Sequence, residues 1–134
     1  MTTAFKIWIT AQALAFIGFA FQFQEAALLA SPFTIVGGLP SIIFFGLWFR
    51  ALQKVQLSRS IGIVLTLIII PALTWFNAFV FERTLDGTSS ELTEFMLAPI
   101  IASFIAAAIF TPGFVQIQHR YYRERQALID QMAQ

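Results

Sequence analysis

Residues 68–83 read IIIPALTWFNAFVFER. This stretch is an apolar run that contains one proline and one amide, Asn77, and it ends on an adjacent acid and base. Extended back to Ile61, the run reaches the roughly 20 apolar residues that a helix needs to cross a bilayer. It therefore predicts a transmembrane helix over residues 61–81.

Three further windows have the same character, and they cover residues 4–23, 33–49 and 95–115. Hydrophobic residues make up 58% of the 134-residue chain and charged residues only 11%, whereas soluble globular domains are about 45–50% apolar. We therefore predict an all-α, polytopic membrane protein with four transmembrane helices in a single domain, residues 1–134.

The second window is the least regular of the four. The link at 26–31, AALLAS, is itself apolar, and prolines and glycines interrupt the segment at Pro32, Gly37, Gly38 and Pro40. Irregular backbone at membrane depth is stable only where it is shielded from lipid. Residues 4–49 therefore leave an alternative open, in which they form a broken or re-entrant unit rather than two complete spans.

Charge is distributed unequally between the loops. Short loops rich in Lys and Arg stay in the cytoplasm. The loop at 50–60 and the tail at 116–134 carry basic residues, whereas the loop at 82–94 carries four acids against Arg83. With Lys6 before the first span, this pattern predicts that both termini are cytoplasmic. We expect the chain to be integral to a bacterial cytoplasmic (inner) membrane.

Aromatic side chains agree with this topology. Trp and Tyr favour the membrane interface, where an apolar ring and a polar atom are both satisfied. Trp8, Trp48, Tyr121 and Tyr122 all fall near the predicted cytoplasmic boundary. We therefore expect these four rings to lie at the level of the lipid headgroups.

The tail combines apolar and basic residues at helical spacing. The apolar residues are Ile117, Tyr121, Leu128 and Met132, and the arginines among them are Arg120, Arg123 and Arg125. The spacing predicts that the fourth helix continues beyond the membrane as an amphipathic extension. We expect the three arginines to contact either the anionic membrane surface or a partner; a solvated helix end is the alternative.

Two amides, Asn77 and Gln12, lie deep within predicted spans. An amide in hydrocarbon requires partners, and interhelical hydrogen bonds of this kind contribute about 0.6–2 kcal/mol to helix association. We predict a packing role for Asn77, with ion coordination or ligand binding as the alternative. The predicted spans place Gln12 in the cytoplasmic half and Asn77 in the outer half, so we expect two separate polar points.

Three acids, Glu25, Glu82 and Glu94, are predicted to lie at the outer rim. Acids within a membrane suggest function, but water reaches helix ends. Solvation, or pairing of one acid with Arg83, is one interpretation, and a weak cation-attracting mouth is the other.

Small residues line the predicted fourth helix, which favours close helix approach, because lipid gives no hydrophobic drive between spans. On the first helix, Ala11, Ala15 and Gly18 are a matching set. The predicted packing face consists of Ala98, Ala102, Ser103, Ala106 and Ala107.

Candidate catalytic groups are few. There are no cysteines, which excludes disulfides, thiolate metal sites and a cysteine nucleophile. A single histidine, His119, is insufficient for a bis-histidine haem and lacks nearby partners for zinc. Neither GxSxG nor a P-loop occurs. The net charge of +1 gives no nucleic-acid footprint. We expect no enzymatic activity, no cofactor and no metal.

The function that these features favour is that of a non-catalytic membrane subunit or accessory protein. Its partners are expected to be the lipid bilayer and other membrane chains or further copies of itself. A homo-oligomeric channel or a transporter of ions or small molecules is the alternative, since prolines at 40, 71, 99 and 112 are possible hinges. A lipid-directed enzyme that uses the rim acids is a third, less favoured hypothesis.

Overall fold

The computed structural model describes residues 3–23, 26–55, 57–85 and 92–133, apart from the side chains of residues 22–34, 82, 85 and 92–96. This part of the chain forms α-helices and short connections only. The helices are α1 (Thr3–Phe23), α2 (Ala26–Lys54), α3 (Arg59–Leu85) and α4 (Leu92–Met132). The predicted all-α class is therefore confirmed.

All four helices are long and apolar enough to cross a membrane. They contain 21, 29, 27 and 41 residues, and about 20 are needed for one crossing. Large apolar side chains, among them Phe21, Ile43, Ile68 and Leu97, are exposed on the outside of the bundle. These features are consistent with an integral membrane protein.

The helix that contains the second predicted span, 33–49, extends beyond it at both ends. Helix α2 runs from Ala26 to Lys54 and includes the apolar link at 26–31 as well as Gly37, Gly38 and Pro40. The first two spans are thus two complete helices, not a broken pair. Glycine and proline are tolerated inside a membrane helix where neighbouring helices satisfy the freed backbone groups.

Helix α4 is the longest element and extends well past the predicted end of its span at residue 115. It continues through Pro99 and Pro112 to Met132. At about 1.5 Å per residue it is roughly 61 Å long, about twice the 30 Å of a bilayer's hydrocarbon core. The tail is therefore helical as far as Met132.

The helices pack as a closed ring, in which α1 and α3 each contact both α2 and α4. The packing is most extensive along α4 and least extensive between α2 and α3. Short connections make successive helices antiparallel. The shared core includes the fully buried side chains of Ile7, Phe19, Phe45 and Ile70, together with alanines of α1 and α4.

Helix α1 is offset along the bundle relative to α2. A short connection joins the two helices, so they are level at that end, but α2 is longer by roughly two turns. Trp8, in the second turn of α1, accordingly contacts Gly38 near the middle of α2. The basic end of α2, with Arg50 and Lys54, therefore projects beyond the start of α1.

The connection between α2 and α3 has defined caps on both sides. Ser58 caps α3, because its carbonyl accepts from the N–H of Gly62 at 2.9 Å and its hydroxyl from the N–H of Ile61 at 3.4 Å. At the end of α2, the N–H of Val55 bonds the Ala51 carbonyl at 3.2 Å. The turn is thus fixed by local hydrogen bonds.

Helix α3 approaches α2 closely at Gly37. A Cβ atom at this position would lie 2.9 Å from the ring of Phe81, which is closer than real Cβ contacts permit. Gly46, about two and a half turns further along α2, has nothing within 4 Å of its Cβ position. The absence of a side chain at Gly37 therefore makes room for Phe81, whereas at Gly46 no neighbour requires it.

We expect Gly37→Ala to lower the free energy of unfolding by about 1–3 kcal/mol, since the added methyl overpacks against Phe81. Gly46→Ala is the matched control and is expected to be neutral or stabilising by up to about 1 kcal/mol, because alanine is the better helix former. Thermal unfolding of both variants in the same detergent checks this. Equal destabilisation by the two substitutions would contradict the close approach.

Candidate functional site

Polar side chains from two helices converge on Gly37 and Gly38 in the interior of the bundle. The indole Nε1–H of Trp8 on α1 donates to the carbonyl of Gly38 at 2.8 Å. From the other side, the Nδ2 amide of Asn77 on α3 donates to the carbonyl of Gly37. Asn77 is buried. These two bonds tie α1 and α3 to the same segment of α2.

The local sequence of α2 explains why side-chain donors reach its backbone here. Glycine has no Cβ, so neighbouring groups come close to the main chain. A Cβ at Gly38 would lie 3.2 Å from Nε1 of Trp8 and would overlap the side-chain amide of Gln12. Pro40 has no N–H and removes the usual helical donor to the Val36 carbonyl. The segment thus combines accessible carbonyls with an incomplete helical ladder.

The prediction that Gln12 and Asn77 lie at different depths is wrong. Gln12 lies against Gly38 and Asn77 against Gly37, so both amides are level with the same turn of α2. The prediction assumed that the ends of the apolar windows are level in all four helices. Because α1 is about two turns shorter than α2, Gln12 lies further from the basic end of α2 than that assumption gives. Gln12, Asn77 and Trp8 therefore surround one segment, which we call the Gly37–Gly38 segment.

A second polar contact joins α2 to α3 nearer the basic end. The Nε1–H of Trp48 donates to Oγ1 of Thr66 at 3.1 Å. The Thr66 hydroxyl in turn donates to the carbonyl of Gly62, one turn earlier in its own helix, at 2.7 Å. Thr66 is completely buried, so its hydroxyl is satisfied as both donor and acceptor within the protein.

The end of α2 receives donors from α4. The last four carbonyls of any helix have no partner within it. Nε2 of Gln118 donates to the Leu52 carbonyl at 2.9 Å, and the hydroxyl of Tyr122, one turn later, donates to the carbonyl of Gln53. All five of these side-chain hydrogen bonds between helices involve α2.

The aromatic residues that were expected at the interface thus have different surroundings. Trp8 and Trp48 are half-buried, and both indole N–H groups bond to the protein. Tyr122 bonds to the end of α2, whereas Tyr121 is exposed. Sequence reasoning missed the donors Trp8, Trp48, Gln118 and Tyr122. The signal for the first of these was the Gly-Gly-x-Pro pattern of α2, which offers carbonyls to any donor nearby.

The structure places the predicted small-residue face of α4 inside the bundle. Ala102, Ser103, Ala106 and Ala107 are buried, and Ala98 is half-buried. A Cβ at Gly18 of α1 would lie 3.5 Å from that of Ala98, an ordinary van der Waals contact. Among the described residues, the hydroxyl of Thr111, on the next turn of this helix, is buried without a hydrogen-bond partner.

The predicted rim acids fall largely outside the described part of the chain. Glu25 lies outside the described residues, and the side chains of Glu82 and Glu94 are likewise not described. At this end, the guanidinium of Arg83 lies 5.1 Å from the ring centre of Phe79, which is a cation–π contact. The cation-attracting mouth stays a prediction.

The three tail arginines are exposed on α4 and do not share one surface. Arg123 lines two cavities beside the α2–α3 connection, whereas Arg120 lines only the smaller and Arg125 only the larger. His119 lines both. The basic residues of the tail are therefore distributed around the helix.

The side-chain hydrogen bonds of the Gly37–Gly38 segment and of the Trp48–Thr66 contact join helices to one another. The side-chain N–H groups of Trp8, Trp48 and Asn77 are engaged by backbone carbonyls or by a neighbouring hydroxyl, whereas the buried hydroxyl of Thr111 has no partner among the described residues. Within the described residues, no group of three or more His, Asp or Glu side chains is placed to hold a metal ion. Comparison with protein-family models, curated proteins and solved structures finds no match to this chain.

We expect Asn77→Leu to lower the free energy of unfolding by about 0.6–2 kcal/mol, because it removes the interhelical bond to Gly37. Thr74→Val is the matched control: Thr74 lies one turn earlier, and its hydroxyl bonds only the Ile70 carbonyl of its own helix, at 3.0 Å. The control should change stability by less. Unfolding of both variants in detergent is the measurement, and a larger loss for Thr74→Val would contradict the assignment.

The Trp48–Thr66 bond lends itself to a double-mutant cycle. We expect Trp48→Phe and Thr66→Val to couple by about 0.5–1.5 kcal/mol, the usual net contribution of such a bond. A second cycle that combines Trp8→Phe with Thr66→Val is the control, since Trp8 bonds Gly38 instead. Additivity in the first cycle, or equal coupling in both, would show that the bond does not form.

Proposed function

We propose that this chain is a non-catalytic membrane protein that packs against another membrane chain through the extension of α4. We place it in a bacterial inner membrane with both termini cytoplasmic, on the distribution of basic and acidic loops. The observation that carries the proposal is an exposed apolar row on this extension. The row consists of Ile117, Tyr121, Leu128 and Met132, which are 71, 61, 59 and 80% exposed.

The row has the geometry of a helix-contact surface. At about 100° per residue, its four members fall within an arc of roughly 60°. Glu124 and Arg125 lie on its two edges. Apolar stripes bordered by charges are typical of helices that pair with a second helix. We therefore identify the occupant as an α-helix of a partner membrane chain, in which an apolar stripe is flanked by charges of opposite sign to these.

The interior of the bundle supports a scaffold more than a conduit. A channel or transporter that uses Asn77 requires its amide to reach a solute. In the structure, Nδ2 of Asn77 is engaged by the Gly37 carbonyl, and the indoles of Trp8 and Trp48 are also bonded to the protein. Hydrogen bonds of this kind hold helices in a fixed arrangement. These hydrogen bonds favour a packing role over a channel or transporter.

We expect a photo-crosslinking amino acid at the position of Leu128 to form a discrete adduct with one partner chain in native membranes. The same amino acid at the position of Asp130, about 200° around the helix, is the matched control and is expected to give none. Mass spectrometry of the adduct identifies the partner. A second row position, Tyr121, is expected to capture the same chain.

Substitution in the row separates specific contact from proximity. Leu128→Asp is expected to abolish the adduct formed from the Tyr121 position, because a charge at the centre of the row opposes apolar contact. Ala127→Asp introduces the same charge off the row and is expected to leave the adduct intact. An adduct of twice the chain mass would instead support the homo-oligomeric alternative, and adducts with lipid alone would contradict a protein partner.

A further inference from the structure

We infer that the cavity between the α2–α3 connection and α4 binds the phosphate headgroup of an anionic phospholipid. The cavity has a volume of about 560 Å³, and a second cavity of about 280 Å³ adjoins it, sharing His119 and Arg123 as lining residues. This inference depends on the membrane location of the chain and not on the proposed partner contact.

Four arginines line the two cavities. Arg123 lines both, Arg125 lines the larger, and Arg59 and Arg120 line the smaller. In the described residues, none of these guanidinium groups forms an ion pair with a carboxylate. Arginine presents a planar set of donors that matches a phosphate. The charges are thus available to an anion from outside the chain.

The first turn of α3 adds to the same field. Arg59 is the first residue of α3, so the smaller cavity lies at the positive end of this helix. Backbone N–H groups at such an end favour anions. Arg59 thus contributes to the smaller cavity both its guanidinium and its position at the start of α3.

Apolar side chains form part of the remaining wall of the larger cavity, which favours a lipid over a soluble anion. Leu52 and Val115 are buried at its floor, and Val55 and Ile129 are about half exposed at its sides. The apolar part of α2 ends and that of α3 begins at this end of the bundle. A headgroup held by the arginines would thus have its glycerol and first acyl carbons beside apolar side chains.

The cavity and the apolar row lie on different faces of α4. The row is centred roughly 120° from the average direction of the residues that line the larger cavity and roughly 140° from that of the smaller one, at about 100° per residue. Arg125 lies between the row and the larger cavity. A lipid in the cavity therefore leaves Leu128 and Met132 accessible. The two surfaces are separable by substitution.

Native mass spectrometry of the full chain in mild detergent tests the inference. Phosphatidylglycerol and phosphatidylcholine are added at equal concentration, and the dissociation constant of the first bound lipid is measured. We expect tighter binding of phosphatidylglycerol. Arg123→Gln should weaken it at least fivefold, in line with one headgroup contact, and Arg59→Gln is expected to act in the same direction.

Lys54→Gln is the matched control, since it removes one positive charge at the same end of α2 from a side chain that lines neither cavity. It is expected to change the affinity less than twofold. Equal losses for Arg123→Gln and Lys54→Gln would overturn the inference in favour of general surface attraction. Arg123 is exposed, so unchanged thermal stability of its variant shows that folding is intact.

A third arm distinguishes lipid from soluble phosphate. Glycerophosphoglycerol, the headgroup without acyl chains, is added as a competitor. We expect displacement only at concentrations at least a hundredfold higher than those of the lipid. Displacement at equal concentration would overturn the assignment to a lipid and point to a soluble phosphate compound.

Discussion

The backbone carbonyls of α2 are the constraint on which the rest of the bundle depends. Inside an apolar medium an unsatisfied carbonyl is unfavourable by several kcal/mol. Glycines at 37 and 38, Pro40 and the end of α2 at Lys54 all weaken or expose its hydrogen-bond ladder. Donors from each of the other three helices bind there. The least regular helix by sequence is therefore the one that the others bind.

Directional bonds are important here because the apolar packing is not directional. Hydrophobic and dispersion contacts between phenylalanine-rich and alanine-rich faces tolerate sliding of one helix along another. The bond from Trp8 to the Gly38 carbonyl and the bond from Asn77 to the Gly37 carbonyl would each be broken if one helix shifted by a single turn. The polar contacts thus set how far each helix is displaced along its neighbour, while the alanines of α4 set how closely the helices approach.

The sequence predicted the number of helices and the all-α class, because hydropathy and length report these directly. It did not predict the offset of α1, since hydropathy marks where apolar residues end but not which turns of two helices are level. That offset is why Gln12 and Asn77 meet one segment of α2. The donors Trp8 and Trp48 were missed for a related reason: an indole near a span end fits an interface as well as it fits an interhelical bond, and only tertiary contacts distinguish the two.

Both proposed contacts, with a partner chain and with a lipid, involve helix α4, because its last turns extend beyond the helices that it packs against. Its first half is committed to packing by small residues, and Gln118 and Tyr122 attach it to the end of α2. Because that attachment fixes the rotation of α4 about its axis, it also decides which faces remain free beyond it. The arginines near the α2–α3 connection are directed to the cavities, and the apolar row is directed away from the bundle. A change that loosened the Tyr122 bond is therefore expected to disturb the proposed lipid and partner contacts together, and Arg125, at the edge of the row and in the lining of the larger cavity, belongs to both surfaces.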